Sequence, residues 1–267
     1  MGILNATPDS FSDGGKFLGY DNAVAQGLKL VEDGADILDI GGESSRPFAQ
    51  PVSAQEEMDR VVPVIEHLAR IIGVPISIDT TKAGVAREAI RAGAAIINDI
   101  SALEKDPDMA RLAAEKKVPV ILMHMKGTPE TMQIKPSYTD LMAEITTYLS
   151  LRAEAAIQAG IPRDRIILDP GIGFGKTVEH NLTLIRRLNI LSGLGYPVLM
   201  GPSRKSFIQK ILSQAAGSAV KAHSMEAGLG TQGAVAACVM NGAHIVRVHD
   251  VASVRPLVQV INAVQTV

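Results

Sequence analysis

The sequence predicts an α/β fold, a (β/α)8 or TIM barrel built as a single domain over residues 1–267. Three observations point there. Eight short apolar runs recur along the chain, with longer amphipathic segments between them. Most of the runs are continuous Ile, Val and Leu rather than alternating, as in strands buried on both faces of a parallel sheet. A length of 267 residues suits one barrel of about 250 residues.

The strands are placed near Gly2–Asn5, Ile37–Ile40, Ile76–Asp79, Ile96–Asn98, Val120–Met123, Ile166–Asp169, Val198–Met200 and Ile245–Val248. Seven helical regions separate them, and a last helix covers about Ala252–Val264. The clearest helix runs from about Ala54 to Ile72, where Met58, Val61, Val62, Ile65, Leu68, Ala69 and Ile72 form one apolar stripe. Ser53 with Glu56 reads as a capping box at its start. Pro63 should kink it, and Gly73 and Pro75 should end it. Lys126–Pro136 reads as a loop before a helix near Tyr138–Ala159. An open doubly wound sheet is the alternative, but it usually has fewer strands and a Gly-rich fingerprint after the first.

Composition narrows the function. Hydrophobic residues are 46% and charged residues 20%, which excludes disorder. A net charge of −2 argues against a general nucleic-acid or anionic-membrane binder. Aromatics are 3% with no Trp, so stacking surfaces for sugars or single strands are disfavoured. The one cysteine, Cys238, rules out an intrachain disulfide and reads as a buried small hydrophobe. No secretory signal, myristoylation pattern or long apolar span is visible, so the expected setting is cytoplasmic.

Polar residues gather at the strand ends. These ends supply Asn5, Gly41–Pro47, Asp79, Asn98-Asp99, His124, Asp169–Lys176, Gly201–Ser206 and Arg247–Asp250. An isolated strand-end Asp is usually a cap or turn residue. A polar group at almost every strand end instead suits the face where barrels carry active sites. Arg204, Lys205, Arg247 and His249 are expected to converge where barrels commonly bind phosphate. Asn5 offers an amide oxygen suited to Mg2+. Asp79, Asn98 and Asp169 offer acceptors and an amide that match the guanidine-like edge of a pterin or purine. Gly171–Thr177 is one residue short of a P-loop, and Gly173 and Gly175 are read as letting backbone approach a flat ligand. His124 reads as packed rather than catalytic, and His67 and His180 as exposed. The histidine spacings do not suggest zinc.

Asn5-Ala6-Thr7-Pro8-Asp9-Ser10-Phe11-Ser12-Asp13-Gly14-Gly15 resembles the first signature of the dihydropteroate synthases. Asp39-Ile40-Gly41-Gly42-Glu43-Ser44-Ser45-Arg46-Pro47 resembles the second. Ile78-Asp79-Thr80, Ile97-Asn98-Asp99, Met123-His124-Met125, Asp169-Pro170-Gly171, Ser203-Arg204-Lys205-Ser206 and Arg247-Val248-His249-Asp250 follow in family order. The resemblance implies a transferase of folate biosynthesis. It joins 6-hydroxymethyl-7,8-dihydropterin pyrophosphate to p-aminobenzoate, giving 7,8-dihydropteroate and pyrophosphate by an SN1-like, Mg2+-assisted route.

By the same resemblance, Asp79, Asn98, Asp169 and Lys205 hold the pterin, with Arg247 stacked on its face. Asn5 takes Mg2+, while Arg247 and His249 take pyrophosphate. Thr7, Pro8, Asp9, Ser10, Phe11, Ser45, Arg46, Pro47, Phe174, Lys205 and Ser206 build the p-aminobenzoate pocket. Asp79, Lys205, Arg247 and His249 are the implied catalytic group. Sulfonamides, as p-aminobenzoate mimics, are implied inhibitors, and a homodimer through late helices is implied, compatible with the apolar Gly228–Met240 stretch. Family members usually carry residues ahead of Met1, so the first strand is expected to be truncated. Ala6, Ser45 and Phe48 stand where Val, Thr and Gly are common. A pterin-dependent methyltransferase and a non-catalytic pterin-binding paralogue compete with this reading. The first would not need the Thr7–Phe11 loop or Ser203–Ser206, and the second would be favoured by loss of Lys205, Arg247 or His249.

Overall fold

Six parallel strands pair side by side in chain order: β1 (Gly2–Asn5), β2 (Leu38–Gly41), β3 (Ile76–Asp79), β4 (Ile96–Asp99), β5 (Val120–Met123) and β6 (Ile166–Asp169). Two more, β7 (Leu199–Met200) and β8 (Ile245–Val246), pair with each other in parallel. Single bridges join the two sets, Leu168 to Val198 and Gly2 to Val248. Ile3 N–H donates to Val248 O at 2.9 Å and Leu168 N–H to Pro197 O at 2.9 Å, so the ring closes as a (β/α)8 barrel. The computed structural model describes residues 1–6, 16–44, 50–129 and 131–267. Thr7, Pro8, Asp9, Ser10, Phe11, Ser45, Arg46, Pro47 and Phe48 lie outside them.

The helices are α1 (Lys16–Glu32), α2 (Ala54–Ile71), α3 (Ala83–Ala92), α4 (Asp108–Lys116), α5 (Leu141–Gln158), α6 (Val178–Arg186), α7 (Leu188–Ser192), α8 (Ser206–Ala216), α9 (Met225–Met240) and α10 (Val251–Gln265). Two expected helical regions are each split in two. Gly217, at φ +65°, ends α8, and Ser224 caps α9 by accepting from Ala227 N–H. Arg187 leaves helical geometry between α6 and α7.

The capping box expected at Ser53 is half formed. Ser53 Oγ accepts from Glu56 N–H at 3.2 Å, but the Glu56 carboxylate pairs with Arg60. A full box occurs instead at Thr177 and His180, whose ring is half-buried rather than exposed. His67 is exposed as expected, against the Tyr20 hydroxyl.

Burial sorts the barrel into layers. Leu4, Leu38, Ile40, Ile78, Ile97 and Leu122 face the helices in the main core. Inside the ring, Met1, Ile96, Ile121 and Leu199 form a separate apolar plug. Strand alternation places the residues beyond that plug toward the C-terminal ends, and there the interior becomes polar. Cys238 is buried, as expected. No helix among the described residues is long and apolar enough to cross a membrane.

Candidate active site

The register of the sheet brings the strand-end residues together. Asp79 lies beside Asn98 across β3 and β4, and Met123 beside Asp169 across β5 and β6. Arg247, just past β8, reaches across the ring. Its Nε donates to Asp39 Oδ2 at 2.5 Å and its terminal nitrogen to Asp79 Oδ2 at 2.8 Å. Asn98 Nδ2 donates to the same Asp39 oxygen at 3.1 Å. A planar guanidinium between two carboxylates is well suited to such a fork.

Asp39 is a member that strand-end reasoning missed. It lies within β2, not after it, and is fully buried. Its alternation with the apolar Leu38 and Ile40 was the available signal, since a charged residue in a buried run needs a partner. Its other oxygen has no hydrogen-bond partner among the described residues.

Across the ring, Asp169 Oδ1 accepts from Gly171 N–H at 2.7 Å. Burial pushes this carboxyl up to about 6, although Lys205 and Lys176 oppose the shift. The Lys205 ammonium sits 4.0 Å from the Phe174 ring centre, a cation–π contact. Burial and the Arg247 charge bring Lys205 down to about 8. Burial also raises Asp79, against the pull of Arg247 and with a further push from Asp39.

The Asp169–Lys176 segment owes its shape to glycine. Gly171 and Gly175 have φ of +69° and +65°. A Cβ on Gly171 would meet His124 O at 2.0 Å, and one on Gly175 would meet Lys126 O at 2.3 Å. These residues therefore serve close packing on the segment leaving β5. That corrects the expectation that Gly175 leaves room for a ligand. Gly173 faces the Lys205 stem, 3.0 Å from its Cδ. Lys176 is buried behind this segment, donating to Phe174 O at 2.9 Å and meeting His124 Nδ1 at 3.1 Å. It is no phosphate-binding lysine here. His124 is packed, and burial with the Lys176 charge takes it down to about 3, so its ring stays neutral.

His249 is half-buried, and its Nδ1 lies 3.0 Å from Ser203 Oγ. Arg204 does not join the cluster as expected. It is exposed, with φ +57°, and its backbone N–H bonds to Thr231 Oγ1. Lys205 is the N-cap position of α8, and Ser206 is its exposed first residue. Asn5 ends β1, half-buried, paired in register with Gly41.

The model of the pterin binding enzyme family matches residues 1–249. The dihydropteroate synthase of Synechocystis is 48% identical over 263 residues, spanning 98% of this chain and 89% of that protein. The structure of the Yersinia pestis dihydropteroate synthase with a sulfonamide drug complex superposes with TM-score 0.92 and 42% identity, covering 100% of this chain and 94% of that one. The Xanthomonas albilineans dihydropteroate synthase with 4-aminobenzoic acid gives TM-score 0.89 and 44% identity, covering 100% and 93%.

Proposed function

The chain belongs to the pterin binding enzyme family, and from that membership we propose that it is a dihydropteroate synthase. It transfers the 7,8-dihydropterin-6-methyl group from pyrophosphate to the amino nitrogen of p-aminobenzoate. The observation that carries this reading is one polar ring holding Asp79, Asn98, Asp169, Lys205 and Arg247 above an apolar plug.

The roles follow from chemistry. Asp169 and Asn98 present the acceptor and amide that pair with a pterin's edge. Asp79 adds a second carboxylate, which favours positive charge on the pterin methylene as pyrophosphate departs. Lys205, Arg247 and His249 take the charge of the leaving group. Phe174, fixed under Lys205, offers a flat apolar wall to the aniline ring. The aniline nitrogen then attacks the methylene carbon and loses its proton. Ser206 and the residues Thr7, Pro8, Asp9, Ser10, Phe11, Ser45, Arg46 and Pro47 are assigned to the p-aminobenzoate side by resemblance.

Asn5 is the proposed Mg2+ residue. No group of three or more His, Cys, Asp or Glu that could hold a metal gathers among the described residues. A single amide oxygen fits Mg2+ carried with pyrophosphate and water rather than a protein-caged ion. Bound there, Mg2+ would neutralise charge on the pyrophosphate oxygens.

A homodimer is part of the proposal. Met225, Leu229 and Met240 on α9 and Val260 and Val264 on α10 are exposed, and these two helices pack together. Sulfonamide inhibition and a cytoplasmic setting complete the reading. The test is pyrophosphate release by the purified chain with Mg2+. Release that requires both the dihydropterin pyrophosphate and p-aminobenzoate supports it; release without p-aminobenzoate, or none, overturns it.

A further inference from the structure

Beside the ring, a partly buried charge network joins three elements that carry the site. Lys82, three residues after Asp79, is its centre. Its ammonium lies 2.8 Å from Glu43 Oε2 and 2.5 Å from Glu57 Oε2. Glu57 belongs to α2 and is fully buried. Glu43 follows β2, and its second oxygen accepts from Val52 N–H at 2.9 Å. One carboxylate thus ties residue 43 to residue 52 and ties both to Lys82.

The backbone beside Glu43 is held just as closely. Arg60 on α2 donates to Gly42 O at 2.7 Å. A Cβ on Gly42 would meet Val61 Cγ1 at 2.8 Å and Glu57 Cγ at 3.0 Å. Only glycine lets the chain lie this flat on α2 before Glu43 turns to its partners. A cavity of about 450 Å3 opens alongside, lined by Asp79, Thr81, Glu57, Glu43 and Gln50 among others. Glu57 Oε1 and Thr81 Oγ1 in its wall are buried without hydrogen-bond partners among the described residues. Burying a carboxylate is costly unless it is paired. Retaining a buried Glu57 beside a half-buried Glu43 on one half-buried lysine makes sense if the network sets a position rather than adding stability.

We infer that Glu43, Lys82 and Glu57 are positioning residues, a clasp that fixes both ends of segment 44–51 against the strand end carrying Asp79. This rests on the dihydropteroate synthase reading, in which Ser45, Arg46 and Pro47, between the clasped ends in sequence, contact p-aminobenzoate. The clasp then governs p-aminobenzoate recognition and leaves Asp169 and Lys205, across the ring, untouched.

The experiment compares wild type, Glu43→Ala, Lys82→Met and Lys82→Arg in steady-state kinetics and in amide hydrogen exchange at Val52. In Glu43→Ala, KM for p-aminobenzoate rises about tenfold while KM for the dihydropterin pyrophosphate stays within about twofold. Lys82→Met behaves the same way, and Lys82→Arg restores most of the loss. Val52 exchange speeds up by about tenfold in Glu43→Ala without any substrate present. Should Lys82→Met fail to fold, Glu43→Ala alone decides, because Glu43 is partly exposed and its loss leaves Glu57 paired with Lys82. Unchanged Val52 exchange overturns the clasp whatever the kinetics, as does an equal rise in both KM values. Inactive wild type with accelerated Val52 exchange in Glu43→Ala would break the functional reading and leave the clasp standing.

Discussion

The two sides of the polar ring solve opposite electrostatic problems. On the β2–β3–β8 side, one cation, Arg247, is shared by two carboxylates, Asp39 and Asp79. On the β6–β7 side, two ammonium groups, the buried Lys176 and the half-buried Lys205, act on Asp169. Burial lowers both lysines, Lys176 to about 7 and Lys205 to about 8, and Arg247 and Lys205 add to those shifts. Arg247, by contrast, is held above its ordinary value by Asp39 and Asp79, against burial. One side holds more carboxylate than cation and is gathered on Arg247; the other keeps a positive surplus. A pterin carrying a pyrophosphate arm needs both, a carboxylate-lined seat and a cationic end.

Removing the surplus should have the largest effect. Lys205→Ala is expected to fold and to lower kcat/KM by about a hundredfold or more, since in the proposed mechanism it deletes a charge assigned to the leaving group. Near-normal turnover in a steady-state assay would show that the asymmetry is not used. Loosening the carboxylate side should cost less. Asp39→Asn keeps an acceptor for Arg247 but removes its charge, and about a tenfold fall in kcat/KM is expected. A larger loss than Lys205→Ala would reverse the comparison.

The pH profile sharpens it further. In its proposed role Asp169 accepts from the pterin as a carboxylate, so kcat/KM is expected to fall as pH drops through about 6. In its proposed role Lys205 acts protonated, so kcat/KM is expected to fall as pH rises through about 8. The smallest effect belongs to Lys176→Met. Lys176 favours the ionised form of Asp169, so its loss moves the acid limb to higher pH. An unmoved acid limb would separate Lys176 from the site.

Much of this was legible because barrel strands are short and buried on both faces. Gly2–Asn5, Ile76–Asp79, Val120–Met123 and Ile166–Asp169 appear as read, and β2 differs by one residue at each end. Asp79, Asn98 and Asp169 could be placed because a polar group ending an apolar run marks the open face. Asp39 and Lys82 were harder. The first lies inside a strand, and the second sits beyond a strand end, where lysine is usually solvated. Their partners come from elements far away in sequence, such as Arg247 for Asp39. Arg204 was misplaced because the chain turns through φ +57° there and directs only Lys205 inward. Gly173 and Gly175 looked like room for a ligand; Gly175 is instead a close contact with the chain leaving β5.

Pterin binding, measured by calorimetry on wild type and on Asp169→Asn, tests the central claim most directly. The ring geometry predicts one site per chain in wild type and a loss of about tenfold or more in affinity for Asp169→Asn, with melting temperature preserved. Equal affinity in the two proteins, or no binding to wild type, would contradict it.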